Sequence, residues 1–281
     1  MRFLFGLIFF SLALLTPNAG NANEIKRIIA LSPSSVEMLF EIGVGDRVIG
    51  TVEHADFPEA AKNIPRLGNY VGVNIEKIVS LKPDLIVGWK SGNKQSDLKK
   101  LQSLGLNLVY VDPKSLPAVS KDLRRLGKII GVEEQAEAAA QKFDERYASL
   151  LSENKVKRKV RVFYQLWYDP IRTVGKDSWV EALIHDCNGE NIFKSSKAPY
   201  PVVSIESVLV KDPEVIVMAS HSDAAKSREA LWKNWNNISA VKNDLLEVVD
   251  GSSLLRAGPR AVDGLALLCE AIDKARNIQT N

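Results

Sequence analysis

Short apolar segments alternate with amphipathic segments along most of the chain. The stretches RIIAL, DLIVGW, NLVYVDP, KVRVFYQLW and PEVIVMAS are apolar and rich in β-branched residues, as is typical of buried strands. VEMLFEIG, SDLKKLQSLGL, SWVEALIHDCNG and ALLCEAIDKAR repeat apolar residues at helical spacing. Strands that alternate with helices predict parallel sheets covered by helices on both faces, so the expected fold class is α/β.

Local signals predict where some of these elements begin and end. Ser34 and Glu37, three residues apart, are interpreted as a capping box that opens the first helix, and Gly43 is part of its end. A short helix is predicted over 76–81. Pro83 ends it, because proline disfavours helical backbone at the residue before it.

Two parts of the sequence occur twice, in the same order. IEKIVSLKPDLIVGW, which contains Glu76, is matched by IESVLVKDPEVIVMA, which contains Glu206 at a distance of 130 residues. VEMLFEIGVGDRV, which begins at Val36, is matched by VEALIHDCNGENI, which begins at Val180, 144 residues later. Two matches in order indicate that each half is a copy of one unit. The chain is therefore predicted to form two similar doubly wound lobes.

One long helix is predicted between the halves, over residues 132–156. This stretch lacks Gly and Pro and is rich in strong helix formers, and Ala136, Phe143 and Leu150 lie on one apolar face. At 1.5 Å per residue such a helix is roughly 30 Å long or more, which favours a rigid strut between lobes over one more packed helix. The predicted lobes are then residues 23–131 and 157–281.

The N-terminal stretch MRFLFGLIFFSLALLTPNAGNA has the layout of a secretory signal peptide, residues 1–22, with cleavage expected after Ala22. Its apolar run ends at Leu15, short of the roughly 20 residues that span a bilayer. Export places Cys187 and Cys269 where disulfides persist, which favours a bridge over two buried free thiols.

Composition and motifs favour a binding protein. The 281 residues are 46% hydrophobic and 25% charged, as in soluble globular proteins, and the net charge of +3 gives no support for a nucleic-acid partner. The histidines His54, His185 and His221 form no HExxH motif, no CxxC occurs, and VGKDS lacks the glycine and hydroxyl residue of a P-loop. Neither a catalytic site nor a metal site is expected.

Aromatic residues in the loops suggest a ligand cleft. In doubly wound domains ligands bind beyond the carboxyl ends of the strands. Five aromatic residues lie in loops at these strand ends or just before predicted helices. Trp89, Trp167 and Tyr168 follow predicted strands, and Tyr70 and Tyr200 precede predicted helices. They are interpreted as walls for a large ligand, although packing within the loops is the alternative, and His54 lies in a similar loop.

Glu76 and Glu206 occupy matched places near the beginnings of two short helices. A carboxylate is favoured there by the helix dipole alone. Matched charges on matched lobes would also form two acidic sites on one face, which suits docking to a basic, symmetric partner.

Four stretches carry a resemblance to a known family: LSPSSVEMLF, NIEKIVSLKPDLIVGWKSGN, CNGENIFKSSKAPYPVVSIESVL and RAGPR. In these stretches the chain resembles the periplasmic binding proteins of ABC importers whose two lobes are joined by one long helix. It is most similar to the vitamin B12-binding members. The resemblance implies a monomer that captures cobalamin between the lobes, as a transported ligand and not a cofactor. It also implies delivery to an inner-membrane importer, a permease dimer with its ATPase subunits.

The resemblance also implies residue roles. Glu76 and Glu206 match glutamates that engage arginines of the permease dimer, and Cys187 and Cys269 match the disulfide of the family. The implied ligand-binding residues are His54, Tyr70, Trp89, Arg172, Tyr200, Ser252, Ser253, Leu254, Leu255 and Arg256.

The chain departs from the family at three of these positions. His54 stands where a tyrosine is frequent, Arg172 where a phenylalanine occurs, and Leu255 where a glutamate occurs. His54 is a candidate for reaching the cobalt. Haem, through an axial Tyr or His, and an iron-siderophore, through Arg172, Arg256 and Arg260, are the alternative ligands. An exported two-lobe enzyme is the alternative of a different class.

Overall fold

The chain forms two α/β lobes, and the computed structural model describes residues 24–220 and 230–278. The predicted signal peptide and His221 lie outside the described residues. Within the described part, no helix combines the length and the apolar character needed to cross a membrane.

The two lobes have sheets of the same topology. In the first lobe the parallel strands are β1 (Ile28–Ala30), β2 (Val48–Gly50), β5 (Leu85–Trp89) and β6 (Leu108–Val111), in the order β2-β1-β5-β6, and the pair β3 (Gly68–Asn69) and β4 (Gly72–Val73) is antiparallel. In the second lobe they are β7 (Val160–Gln165), β8 (Gly189–Asn191), β9 (Val215–Ser220) and β10 (Leu246–Asp250), in the order β10-β9-β7-β8. In both lobes the first strand lies between the second and the third.

Helices cover the sheets and connect the lobes. Those of the first half are α1 (Pro33–Glu41), α2 (Ile75–Ser80), α3 (Gln95–Ser103), α4 (Leu116–Ile130) and α5 (Glu133–Lys155). Those of the second half are α6 (Trp179–Asp186), α7 (Ile205–Lys211), α8 (Ser239–Lys242), α9 (Gly251–Leu254) and α10 (Ala261–Asn277). Short 3₁₀ helices span Gly45–Arg47 and Glu59–Asn63.

The repeat in the sequence is a repeat in the structure. The unit β1-α1-β2 corresponds to β7-α6-β8, and α2-β5 corresponds to α7-β9. The third strand of each sheet pairs with the first, as Ile29 with Ile86 and Phe163 with Ile216, and all four side chains are fully buried. Both faces of such strands are covered, which explains their continuous apolar sequences. The predicted fold of two similar doubly wound lobes is confirmed.

The predicted capping box of α1 is wrong. Ser32, not Ser34, is the N-cap: its Oγ accepts a hydrogen bond from the Ser35 backbone N–H at 3.1 Å, and its own N–H donates to Ser35 Oγ at 3.1 Å. Pro33 occupies the first turn, where a missing N–H costs nothing. Glu37 lies two residues beyond Ser35, the third helical position from which a side chain completes the capping box, and its side chain is buried.

The 23-residue helix α5 contacts both lobes. Its start packs closely on α4, where a side chain at Gly127 would put a Cβ 2.1 Å from that of Ala136. Further along, Tyr147 donates a hydrogen bond to Asp186 in the second lobe at 2.9 Å, and Arg146 forms an ion pair with Asp263. This is the predicted long helix between the lobes.

A disulfide joins Cys187, at the end of α6, to Cys269 in α10, with an S–S distance of 2.01 Å. The predicted bridge is confirmed. It ties the end of α6, the helix that follows β7, to α10 of the same lobe.

Candidate ligand-binding cleft

Two adjoining cavities share Trp89 as a lining residue, and the larger of them lies where the lobes face each other. The larger, of about 580 Å³, is lined by both lobes, with Ser32, Ser34, Trp89, Asp112 and Lys114 on one side and Asp177, Trp179, Tyr200, Leu255 and Arg256 on the other. The smaller, of about 380 Å³, belongs to the first lobe and is lined by Leu31, Pro33, Val52, His54, Tyr70 and Trp89 among others. Volumes of this order suit a small-molecule ligand. Trp89 borders both cavities.

Trp89 is an exposed aromatic residue that is held in place. It ends β5 and remains 38% exposed, but its Nε1 donates a hydrogen bond to Asp112 Oδ1 at 3.1 Å. The indole ring lies against Gly92, where a Cβ would come within 2.0 Å of it. The backbone N–H of Trp89 donates to Asn93 Oδ1 at 2.7 Å. The ring is thus positioned before any ligand arrives.

One carboxylate oxygen of Asp112 accepts three hydrogen bonds. Besides Trp89, Ser91 Oγ donates to Oδ1 at 2.7 Å and Lys114 Nζ at 2.8 Å. Partial burial opposes ionisation of Asp112, but the hydrogen bonds from Lys114, Ser91 and Trp89 outweigh it and lower the pKa of this carboxyl group. Asp112 is therefore an ionised acceptor at neutral pH.

His54 and Tyr70 line the smaller cavity beside Trp89. His54 lies in the loop after β2 with a φ of 65°, and Tyr70, in the turn between β3 and β4, is 70% exposed. The structure therefore brings together three residues that the sequence singled out separately. Among the described residues, no group of three or more His, Cys, Asp or Glu side chains is arranged to hold a metal ion.

On the second lobe, Tyr200 borders the larger cavity and is 48% exposed. Arg172 donates from Nη1 to the Tyr200 carbonyl at 3.3 Å and forms antiparallel bridges with Trp167 and Val202. Trp167 and its neighbour Tyr168 are exposed in this same loop region.

The segment 252–256 divides into two parts. Leu255 and Arg256 line the larger cavity, and Ser252 is half-buried. Ser253 is buried and donates from Oγ to Asp250 at 2.8 Å, while Leu254 is fully buried in the lobe. A ligand in the cleft could therefore contact Ser253 and Leu254 through their backbone atoms, not through their side chains.

The polar or aromatic cleft residues that sequence reasoning missed include Asp112, Lys114 and Trp179. Asp112 directly follows the strand NLVYV, a position that could have identified it. Trp179 begins α6, and its Nε1 donates to the Leu254 carbonyl at 2.9 Å, so it supports the segment that reaches the cavity.

Arg256 and Arg260, the candidate cations for a siderophore, are paired across the lobes. Arg260 donates to both oxygens of Glu37, at 3.0 and 2.6 Å, and Arg256 donates to Asp56 at 2.6 Å and to Glu37 at 3.4 Å. The hydrogen bond from Arg256 lowers the pKa of Asp56. The two positive charges are thus balanced within the protein.

Glu76 and Glu206 are exposed at the second positions of α2 and α7. Asn74 and Ser204 cap these helices in the same way, each accepting a hydrogen bond from the backbone N–H three residues later. Hydrogen bonds from its own backbone N–H and from Ser204 lower the pKa of Glu206. The two carboxylates therefore occupy equivalent places on the two lobes.

Comparison with known proteins identifies the family. The family model described as periplasmic binding protein matches residues 28–250. The chain belongs to the periplasmic binding protein family. Periplasmic binding proteins are substrate-binding proteins and not enzymes, and their compartment is the periplasm.

Individual relatives in the periplasmic binding protein family are similar over almost the whole chain. The vitamin B12-binding protein of Vibrio campbellii is 34% identical over 269 residues, which cover 95% of this chain and 97% of that protein. The crystal structure of periplasmic vitamin B12 binding protein BtuF of Vibrio cholerae has a TM-score of 0.83 at 35% identity and covers 90% of this chain and 98% of that one.

The periplasmic haem-binding protein RhuT from Roseiflexus sp. RS-1 has a TM-score of 0.81 at 23% identity, covering 90% of this chain and 100% of that chain. At that level of identity the likeness extends to the fold alone. The fold alone therefore does not identify the ligand, which has to be inferred from the residues of the cleft.

Proposed function

We propose that the mature protein binds vitamin B12 (cobalamin) between its lobes and delivers it to an inner-membrane ABC importer. The observation that carries this proposal is the cleft of about 580 Å³ walled by Trp89 of one lobe and Tyr200 of the other. A corrin is a large, flat ring with amide side chains. Aromatic faces suit the ring, and the surrounding hydroxyl, carboxylate and cationic groups suit the amides. The near full-length similarity to vitamin B12-binding proteins supports the same ligand.

Within this proposal the ligand is a cargo and not a cofactor. The residues proposed to contact it through side chains are His54, Tyr70, Trp89, Tyr200, Leu255 and Arg256. Neither Arg172 nor Ser252 is among the lining residues of the two cavities, so a ligand contact by either is proposed from the resemblance alone. Ser253 and Leu254 would contribute backbone contacts.

Isothermal titration of the purified mature protein with cyanocobalamin tests the proposal. We expect tight binding with one ligand per chain, and a loss of at least about tenfold in affinity for Trp89→Ala, because a stacking aromatic contact is removed. Leu104→Ala is the control, since Leu104 is a similarly exposed apolar residue, 46% exposed, at the end of α3 in the same lobe. The absence of both heat and a change in the visible spectrum would contradict cobalamin as the ligand.

Haem is the second candidate, because His54 and Tyr70, two side-chain types that ligate haem iron, line one cavity. Titration with haemin followed in the Soret region separates the two ligands. A Soret shift that His54→Ala or Tyr70→Phe abolishes, together with no cobalamin binding, would favour haem. An anionic siderophore is less well supported, since Glu37 and Asp56 already neutralise Arg256 and Arg260.

We further propose that Glu76 and Glu206 engage arginines of the permease dimer. Their exposure, equivalent positions and matched helix caps support a role for both as a pair. Replacing each by lysine should leave cobalamin affinity unchanged and reduce delivery to the reconstituted importer. Glu134→Lys, in the first turn of α5, is the control for a reversed exposed charge. Undiminished delivery by the double variant would refute the docking role.

Export and organisation complete the proposal. Residues 1–22 would be removed on export, and the mature chain would comprise 23–131, the connecting helix 132–156 and 157–281, as a monomer when free. Mass spectrometry of the periplasmic protein tests cleavage after Ala22, and light scattering of the same sample tests the monomer. A mass that includes residues 1–22 or a stable dimer would contradict the respective part.

A further inference from the structure

A polar network joins the two lobes directly beside the cleft. Five hydrogen bonds run from Arg256 and Arg260 of the second lobe to Glu37 and Asp56 of the first. The guanidinium of Arg260 also lies over the Phe57 ring, 4.1 Å from its centre. We call these five residues the cross-lobe network.

Glu37 is the centre of the cross-lobe network. Its side chain is 2% exposed, and the side chains of Arg256 and Arg260 are 15% and 19% exposed. Both carboxylate oxygens accept hydrogen bonds from Arg260, in the two-pronged geometry that makes such pairs strong. A carboxylate buried to this degree is tolerated because it is paired. Removing its charge leaves two partly buried cations close together, with Asp56 as the remaining carboxylate partner of Arg256.

The cross-lobe network is attached to the floor of the cleft. Arg256 lies between Leu255 and Ala257, and all three line the larger cavity. Two residues later, Gly258 packs on α1, where a Cβ would come within 3.2 Å of Ser34 Cβ. The segment from Leu255 to Arg260 is thus held against the first turns of α1, which belong to the other lobe.

A groove open to solvent lies behind the network. A cavity of about 180 Å³ lies there, lined by Phe57 and Arg260 together with Phe143 and Arg146 of α5. The direct contacts between the lobes at this point include the hydrogen bonds of Glu37 and the packing of Gly258 on Ser34.

We propose that Glu37 is a positioning residue of the cleft: by holding Arg256 and Arg260 it fixes the floor at 255–257 and the separation of the lobes before ligand binds. A preformed cleft binds its ligand without the cost of ordering two lobes, and ligand escape is slow because the walls are fixed. The part of this inference that concerns ligand release rests on the proposed function, whereas the part that concerns lobe separation does not.

Asp56 provides an internal comparison. Its side chain is 51% exposed and contacts only Arg256 among the arginines of the network. A charge pair at the surface contributes less than a buried one, so Asp56→Asn should have a small effect in the same direction. We therefore expect a larger change in the separation of the lobes when Glu37 is replaced than when Asp56 is replaced.

The experiment compares Glu37→Gln with Glu137→Gln. Glu137 accepts two hydrogen bonds from Arg124 between α4 and α5, so its loss removes a two-pronged pair that is more exposed than that of Glu37 and does not cross the lobes. Spin labels at Lys99→Cys on α3 and Val210→Cys on α7 report the distance between lobes in the ligand-free protein, the native cysteines being bridged. Stopped-flow dissociation of cyanocobalamin provides the second measurement.

We expect Glu37→Gln to broaden or lengthen the distance distribution and to speed cobalamin dissociation on the order of tenfold. Glu137→Gln should change neither. If Glu37→Gln lowers the melting temperature but leaves the distances as in the wild type, Glu37 is only a structural residue and the proposal is overturned. If Glu37→Gln does not fold, Arg260→Lys replaces it, because lysine keeps the charge but cannot form the two-pronged contact. A wild-type protein that fails to bind cobalamin refutes the proposed function, while the distance measurement still decides this inference.

Discussion

The indole Nε1 of Trp89 donates a hydrogen bond to Asp112 Oδ1 over 3.1 Å, from the end of β5 to the end of the neighbouring strand β6. Strands β5 and β6 are adjacent and parallel, so the residues at their carboxyl ends meet at the same edge of the sheet. The hydrogen bond fixes which face of the exposed ring borders the cleft. It therefore links the topology of the lobe to the geometry of its ligand site.

Truncation of Asp112 should weaken cobalamin binding through Trp89. We expect Asp112→Ala to lower affinity on the order of tenfold, because the indole of Trp89 loses its anchor. Titration calorimetry measures the change, with Asp122→Ala, which loses its pair with Arg125 on α4, as the control. In a Trp89→Ala background the Asp112 change should cost almost nothing more. A full effect in that background would mean that Asp112 acts on the ligand directly.

Gly92 should tolerate no side chain without disturbing the same ring. A Cβ at this position would lie 2.0 Å from the indole, far inside van der Waals contact, so the ring must move. We predict that Gly92→Ala lowers cobalamin affinity by about tenfold or more and changes the near-ultraviolet circular dichroism, while far-ultraviolet spectra stay the same. Wild-type affinity in this variant would show that the ring position does not matter for binding.

The stabilising contribution of Asp112 should depend on pH in one direction. The folded-state pKa of Asp112 is lowered below its ordinary value of 3.8, so its stabilisation is present above that value and is lost as the pH falls through the lowered pKa. Urea unfolding of the wild type and of Asp112→Asn should differ by a constant amount from about pH 7 to about pH 5, then converge below about pH 4. A difference that grows on acidification would contradict this assignment.

Loss of the disulfide should affect stability and leave the cleft intact. The bridge closes a loop with a sequence separation of 82, which corresponds to roughly 4 kcal/mol of free energy of unfolding in the chain-entropy model. The double variant Cys187→Ser and Cys269→Ser should show this loss in denaturant unfolding and bind cobalamin normally at low temperature. Reduction of the wild type should reproduce the result. Unfolding curves that coincide would contradict the prediction.

His54 is the candidate residue for coordinating the cobalt of bound cobalamin. It lines the smaller cavity and has a left-handed backbone conformation, with a φ of 65°. If His54 binds the cobalt, His54→Ala will alter the visible spectrum of bound cobalamin. An unchanged spectrum with slightly weaker binding would assign His54 to the wall of the cavity, and His185→Ala, an exposed histidine of α6, serves as the control.

The order of strands and helices could be predicted because each element has its own local pattern of apolar and polar residues. The paired repeats around Glu76 and Glu206 identified two copies of one unit, and the Gly-free stretch at 132–156 identified α5. Local pattern failed at the first turn of α1, where Ser32, Ser34 and Ser35 are all capping residues by type. Only the backbone conformation at Ser32, with φ of −152° and ψ of 154°, decides among them.

The sequence by itself determined the α/β class, the duplicated lobes and the pair of cysteines, since periodicity and repeats depend on residues close in the chain. The tertiary structure alone decided that Gly92 and Asp112 hold Trp89, that Leu254 is buried, and that Glu37 pairs with Arg260. Glu37 and Arg260 are 223 residues apart, and no local pattern encodes such a contact. It arises because the two lobes are packed against each other, and packing of that kind depends on the shapes of both surfaces at once.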